Sequence, residues 1–259
     1  MVSLRRSSSS GRAAGANAGR PALGFWLEYA SLPACEIAAG LGYDAVIFDL
    51  EHGVIPTAVA DELTLVCKRL GLTVYARVAA AERVAIQHAL DSGADGVILP
   101  QIAGLEHARE VTAYAKYPPL GSRGVGYSRT MNYGGVPRDF YGAENRRTLC
   151  LPMIETPGAL DDAAAIAGLD TVDGLFIGPS DLSMTRRRGP FAAAPADLKD
   201  LGAIALAARK AGKIWGVPAP GRKIFDFARR RGAAFVTVCD DLTALGAGFA
   251  QGLAVAGKR

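Results

Sequence analysis

The sequence has little of what would mark a membrane, secreted or nucleotide-binding protein. No stretch approaches the roughly 18 consecutive apolar residues that a membrane span requires, and no secretory apolar core follows the start. Cysteine is scarce: Cys35, Cys67, Cys150 and Cys239 are scattered in apolar surroundings without metal-ligand spacing. They read as reduced packing residues, and a cytoplasmic protein is expected. Acid is missing from the first twenty residues, where Arg5, Arg6, Arg12 and Arg20 supply +4 by themselves. The chain's net charge is +4, so the remainder is neutral (+4 − 4 = 0). A neutral body leaves no electrostatic footprint for nucleic acid. Segment 1–20, rich in Ser, Gly, Ala and Arg without apolar periodicity, is expected to be a disordered tail. Its acid-free, Arg- and Ser-rich character also fits an organelle transit peptide.

What the chain does have is a regular alternation of short apolar runs and helix-like stretches. Strands are expected at Gly24–Tyr29, Asp44–Asp49, Leu72–Val78, Gly96–Leu99, Leu149–Ile154, Gly174–Ile177, Lys213–Val217 and Ala234–Val238, with helices between them. The spacing gives about eight βα units of roughly 25–30 residues. Such runs, without polar alternation, suit a parallel sheet buried on both faces. The size fits a single (β/α)8 TIM barrel over residues 21–259. A doubly wound open sheet is the competitor and often carries a nucleotide fingerprint. Gly121–Gly126 supplies none, because it follows a helix rather than a strand. Residues 117–147 are expected to be one long irregular connection, emerging on the face opposite any site.

In a parallel barrel the C-terminal strand ends share one face, and that face carries the site. Strand two ends in Asp49-Leu-Glu-His52, strand three near Arg77, strand five in Glu155-Thr156 and strand six in Gly178-Pro-Ser-Asp181. Glu155 and Asp181 come from consecutive units, so their strands lie about 5 Å apart. Two carboxylates that close repel unless a cation or a shared proton lies between them. They suit Mg²⁺ or Mn²⁺; equally, Asp181 caps a helix after the Gly-Pro turn while Glu155 finds a cationic partner. His52 is either a base tuned by Asp49 or an ordinary loop histidine. Arg77 either neutralises an oxyanion or bridges to Asp49 or Glu51. His88 and His107 fall within helices. No lysine stands at a strand end near this cluster, which disfavours Schiff-base chemistry.

Several stretches carry a family resemblance in order along the chain from about residue 22 to 256. They are Asp-Leu-Glu-His at 49–52, Ala-Arg-Val at 76–78, Gly-Ala-Asp-Gly-Val-Ile-Leu-Pro at 93–100, Gly-Ser-Arg-Gly-Val-Gly at 121–126, Ile-Glu-Thr at 154–156 and Ile-Gly-Pro-Ser-Asp-Leu-Ser at 177–183. Together they resemble the HpcH/HpaI aldolase/citrate lyase family of metal-dependent class II pyruvate aldolases. The resemblance implies a phosphoenolpyruvate/pyruvate-type barrel that forms a homo-oligomer, a trimer or a hexamer, with the last helix exchanged between neighbours. It implies Glu155 and Asp181 as ligands of Mg²⁺, Mn²⁺ or Co²⁺. Arg77 would stand at the keto and enolate oxygen, and His52, oriented by Asp49, would be the base. The backbone at Gly178, Pro179 and Ser180 would face the substrate carboxylate. The implied reaction is reversible cleavage of a 4-hydroxy-2-oxo acid to pyruvate and an aldehyde.

Two departures stand out. Met153 occupies a position where many relatives have Gln, and Arg186-Arg-Arg188 follows Asp181 where small or acidic residues are common. The Arg run is either a solvated loop or a recognition site for an anionic acceptor. The departures leave room for a siderophore-type citrate synthase, or a lyase or transferase of CoA esters, on the same metal site. A non-catalytic barrel subunit is the third reading.

Overall fold

The computed structural model describes residues 20–257; the expectation for segment 1–20 falls outside them except at Arg20. Eight parallel strands close on themselves in sequence order. They are β1 (Ala22–Leu27), β2 (Ala45–Asp49), β3 (Thr73–Arg77), β4 (Gly96–Leu99), β5 (Leu149–Ile154), β6 (Gly174–Ile177), β7 (Ile214–Pro218) and β8 (Phe235–Asp240). The expected barrel is therefore the fold. β2, β4 and β6 are buried at every residue, as strands covered on both faces must be. Among the described residues no helix is long and apolar enough to cross a membrane.

The helices follow the strands as α1 (Leu32–Leu41), α2 (Thr57–Arg69), α3 (Arg83–Asp91), α4 (Leu105–Ala113), α5 (Phe140–Arg147), α6 (Pro157–Asp161), α7 (Ala163–Ala167), α8 (Pro179–Thr185), α9 (Pro195–Lys210), α10 (Arg222–Arg230) and α11 (Asp241–Val255). Three differ from expectation. The stretch 158–167 is two short helices because Asp162 leaves the helical register and accepts the N–H of Leu105 (2.8 Å). α5 lies inside the supposedly irregular connection. It has no apolar period; contacts hold it, with Asn145 bonded to both backbone groups of Tyr117 and Arg147 to Glu144. α8 is the third, and it carries the site.

The interior of the barrel is filled by Ile47, Tyr75, Ile98, Leu151, Met153, Phe176 and Phe235. Phe235 stacks on Tyr75 (centroids 4.8 Å) and on Phe176 (5.5 Å), and Trp26 meets Phe176 edge-on at 5.8 Å. Of this aromatic layer only Trp26 reaches the cavity at the C-terminal end; the rest fills the barrel beneath it. The layer needs Gly216, since a Cβ there would stand 2.6 Å from the Phe235 ring.

The two barrel ends differ in how their acids are used. At the N-terminal end a carboxylate precedes β2, β4 and β6 and accepts a backbone N–H from the strand before. Asp44 takes Leu23 (2.8 Å), Asp95 takes Val74 (3.0 Å) and Asp173 takes Cys150 (2.7 Å). Lys116, fully buried, adds an ion pair to Asp173 (2.7 Å) and bonds the carbonyls of Asn145 and Thr148. Residues 117–147 pack at this end, as their topology demands. Arg123 lies over the Tyr117 ring and pairs with Asp91, and Arg129 pairs with Asp61.

Replacing Gly216 by Ala should cost roughly 1–3 kcal/mol, because Phe235 is held on both faces and cannot yield. Urea unfolding of the variant tests this, and a midpoint equal to that of the parent would contradict it.

Candidate active site

At the C-terminal end the strand ends surround a cavity of about 250 Å³. Glu155 follows β5 directly and is 1% exposed. Its Oε1 accepts the backbone N–H of Gln101 at 2.6 Å. Gln101 adopts a left-handed backbone (φ 54°) to present that N–H, a local strain of the kind that collects at functional sites. Oε2 is buried with no hydrogen-bond partner. Burial raises the Glu155 pKa to about 7, and the nearby charges of Asp181 and Glu51 add to the shift against the Gln101 bond.

β5 and β6 pair with Ile154 opposite Ile177, which brings Gly178 alongside Glu155. Only glycine fits there: a Cβ would clash with Glu155 Oε2, and would stand 2.7 Å from both Glu155 Cβ and Met153 Cε. Pro179 then opens α8 as its first residue, and Asp181 sits in the first helical turn, half-buried on the cavity wall. Gly178 gives its N–H to the Ile154 carbonyl (3.2 Å), and Pro179 has none. In the Gly178–Ser180 stretch only the Ser180 N–H is therefore available for an anion, with Asp181 N–H beside it.

Arg77 ends β3 with its guanidinium over the Trp26 ring at 4.7 Å. Its Nε donates to Asp49 Oδ1 (3.0 Å) and its Nη2 to Asp49 Oδ2, while Glu51 Oε2 lies 3.4 Å from Nε. This bidentate fork fixes the guanidinium at the cavity edge. Burial opposes the charge on Asp49, but the bonds from Arg77 and from the His52 and Glu51 backbone outweigh it and hold the carboxyl below its ordinary range.

His52 departs from expectation. Asp49 does not orient its ring; Asp49 Oδ1 instead accepts the backbone N–H groups of Glu51 (3.1 Å) and His52 (3.0 Å). A carboxylate two and three residues upstream closes an Asx-type turn on the backbone, so the ring is left to point elsewhere. That ring is largely exposed, with Nε2 3.8 Å from Glu51 Oε2, and it does not line the cavity. The Arg run is also not free. Arg186 pairs with Asp200 (2.8 Å), and Arg188 with Asp200 (2.8 Å) and Asp197 (3.3 Å), so α9 neutralises two of the three.

Met153 lies under the carboxylates as an apolar floor, and no lysine lines the cavity. The wall formed by Trp26, Glu28, Pro218, Thr237 and Asp240 is new relative to the sequence reading. The signal for it was present in the ends of the first and last strands, Leu27-Glu28 and Cys239-Asp240-Asp241. Among the described residues no three or more His, Cys, Asp or Glu side chains converge as a metal cluster. A cation here would draw on two carboxylates and complete its shell with water and substrate oxygens, as Mg²⁺ commonly does. The bare buried Oε2, beside a glycine that a side chain would displace, fits that group.

A closed barrel with paired carboxylates and an arginine at its C-terminal rim defines an enzyme of the (β/α)8 class. Residues 22–245 match the model of the HpcH/HpaI aldolase/citrate lyase family, and the chain belongs to that family. It is 39% identical over 166 residues to a 4-hydroxy-2-oxovalerate aldolase of Novosphingobium aromaticivorans, covering 63% of this chain and 62% of that protein. It is 33% identical over 238 residues to a 4-hydroxy-2-oxo-heptane-1,7-dioate aldolase of Salmonella arizonae, covering 89% and 88%. The crystal structure of a family member from Burkholderia cenocepacia superposes with a TM-score of 0.84 at 26% identity, covering 93% of this chain and 96% of that one.

The raised Glu155 pKa fixes a pH dependence for the metal-free protein. Folding disfavours the charged carboxylate, so its contribution is present below the unfolded value of 4.5 and is lost as pH rises through about 7. At about 1.4 kcal/mol per pKa unit the full effect is roughly 3 kcal/mol. Chemical denaturation of EDTA-treated protein should show stability falling across this window, and Glu155→Gln should remove the fall. Parallel pH profiles for the two proteins would contradict the assignment.

Proposed function

We propose that the protein is a divalent-metal-dependent aldolase that reversibly cleaves a 4-hydroxy-2-oxo acid to pyruvate and an aldehyde. The reading rests on one observation above the others: a buried carboxylate oxygen, Glu155 Oε2, stands without a partner, near enough to Asp181 for their charges to interact, behind a cavity that Asp181 and Arg77 line. Glu155 and Asp181 would hold the cation, with Mg²⁺ and Mn²⁺ favoured by an all-oxygen donor set and Co²⁺ acceptable. When bound, the cation supplies Lewis acidity toward the carboxylate and keto oxygens of a 2-oxo acid.

The chain's own groups account for the rest. Arg77, already locked by Asp49, faces the negative charge that develops on the keto oxygen without having to reorganise. The Ser180 and Asp181 N–H groups, at the start of α8, would face the substrate carboxylate. In cleavage a base takes the proton of the 4-hydroxyl, and C4 becomes the aldehyde carbonyl as the C3–C4 bond breaks. The bond's electron pair passes to C3 and the keto oxygen, and protonation of C3 then gives pyruvate. His52 is our candidate for the base; since its ring stands outside the cavity lining it would act through a water, with Glu51 rather than Asp49 as its carboxylate partner. No covalent lysine adduct is required.

A homo-oligomer accords with α11. It buries no residue in the single chain and exposes Leu242, Leu245, Phe249 and Leu253 along its length. A partner copy would cover so apolar a helix. The unbridged cysteines agree with a cytoplasmic location.

The test is to strip the protein with EDTA, supply pyruvate, an aldehyde panel and Mg²⁺, Mn²⁺ or Co²⁺, and follow product. We expect metal-dependent carbon–carbon bond formation, reduced at least about 100-fold by Asp181→Ala and by Arg77→Met. Citrate and free thiol from oxaloacetate plus acetyl-CoA, with no aldol product, would replace this reading with the transferase. Full activity in Asp181→Ala would remove the site assignment. His52→Gln should lower kcat/KM about 100-fold or more, and an unchanged kcat/KM would exclude His52 as the base.

A further inference from the structure

The cavity has two walls. The one formed from β2, β3, β5 and β6 is used by the proposed reaction. The other, from β1, β7 and β8, carries Trp26, Glu28, Pro218, Thr237 and Asp240 and has no role in it. A substrate held at Glu155, Asp181 and Arg77 must place the carbons beyond C3 against this second wall, because it closes the remaining side of the cavity.

Its chemistry is unusual for a protein interior. Glu28 follows β1, is half-buried, and its carboxylate makes no hydrogen bond or ion pair among the described residues. The backbone that carries it is pinned. Asp241 accepts the N–H groups of Glu28 (3.1 Å) and Tyr29 (3.1 Å), and the Glu28 carbonyl accepts that of Val54 (2.8 Å). Burial and three acidic neighbours, Asp240, Asp49 and Asp241, raise its pKa above the ordinary carboxyl range. Asp240 spends its oxygens on capping α11, through Thr243 N–H (2.6 Å) and the Thr243 hydroxyl (2.8 Å), and meets no cation.

The second observation is independent of the acids. Thr237 is 2% exposed and lines the same cavity, and its hydroxyl has no hydrogen-bond partner. Its methyl group is the part directed at β1, with Cγ2 3.4 Å from the Cβ position of Gly24. A buried hydroxyl left bare is costly, and such a group in a cavity is explained by a ligand that completes it.

Among the described residues Arg77 is the one cation on the cavity lining, and Asp49 and Glu51 already engage it. The Arg186–Arg188 run offers no substitute, since α9 holds Arg186 and Arg188. We infer that the second wall is the acceptor side of the site, where Glu28 and Thr237 select an aldehyde that bears hydrogen-bond donors and no negative charge. Carboxylates only accept, so a hydroxyl or an ammonium on the aldehyde satisfies them. An aldehyde with a remote carboxylate would meet Glu28 and Asp240 without a compensating charge, a repulsion that works as selection against it. This inference rests on the lyase reading above.

The experiment uses the Mg²⁺-loaded full chain with pyruvate and compares kcat/KM within matched aldehydes. Pentanal should exceed succinic semialdehyde, its anionic counterpart, by about tenfold or more. Glycolaldehyde or aminoacetaldehyde should exceed propanal, and whichever leads identifies a hydroxyl or an ammonium as the donor. Glu28→Gln, which keeps shape and removes charge, should narrow the pentanal-to-succinic-semialdehyde ratio about tenfold. Thr237→Val should lower the glycolaldehyde-to-propanal ratio several-fold, with Thr237→Ser restoring it. Succinic semialdehyde matching pentanal in the parent, or variants that scale every aldehyde equally, would overturn the inference while leaving the lyase intact. No turnover with any aldehyde would overturn both.

Discussion

The site depends on one constraint, a carboxylate kept out of water with half of its bonding capacity unused. Glu155 is buried by its position at the end of an interior strand, and one oxygen is satisfied by a backbone N–H that Gln101 offers only by adopting a strained conformation. The other oxygen faces Gly178 across a gap that no other residue would leave open. Burying an ionised group this way is unfavourable unless something of opposite charge arrives, and the raised pKa expresses that cost in the free protein. The end of β6, the Gly-Pro turn and the short α8 bring Asp181 near enough for its charge to act on that carboxylate.

The contrast between the two barrel ends makes the same point from the other side. Asp44, Asp95 and Asp173 at the N-terminal end are fully used, each receiving a backbone N–H and two of them a lysine as well. These acids tie neighbouring strands together and contribute to stability. Glu28 and Glu155 at the C-terminal end are under-bonded. One fold therefore holds satisfied acids where it needs strength and unsatisfied ones where it needs a ligand.

Much of this was legible in the residues. The apolar runs that became β4, β5 and β6 stop where glycine, proline or a charge makes stopping obligatory, and their ends delivered Glu155 and Asp181 to one face. Arg77 ends β3 as its strand pattern implies, and its bridge to Asp49 is one of the partners that position allows. The misses have physical causes. Drawing the first strand two residues late put Glu28 inside it instead of on the rim, and ending the last strand at Val238 hid Asp240 in a loop. Proximity in sequence suggested that Asp49 would orient the His52 ring, whereas a carboxylate at that spacing finds the backbone first. The Arg run looked free because its partners, Asp197 and Asp200, lie on the next helix. α5 has no period to read, and only its contacts make it a helix.

Charge around the cavity also sets which way a substrate must lie. Glu28, Asp49, Asp181 and Asp240 line it and Glu51 and Glu155 lie close behind, against the single cation of Arg77 among the described residues. A divalent ion held as proposed by Glu155 and Asp181 would offset part of this excess, and only on their side. The carboxylate of a 2-oxo acid has just that side to go to, where free N–H groups at the start of α8 add a little positive potential. Every other wall repels it. In the proposed reaction the acid end would thereby be pinned toward β6 and the neutral end turned toward β1 and β8, with the reacting carbons between them beside Arg77. Orientation here comes less from attraction at the far end than from the absence of any other place for a negative charge.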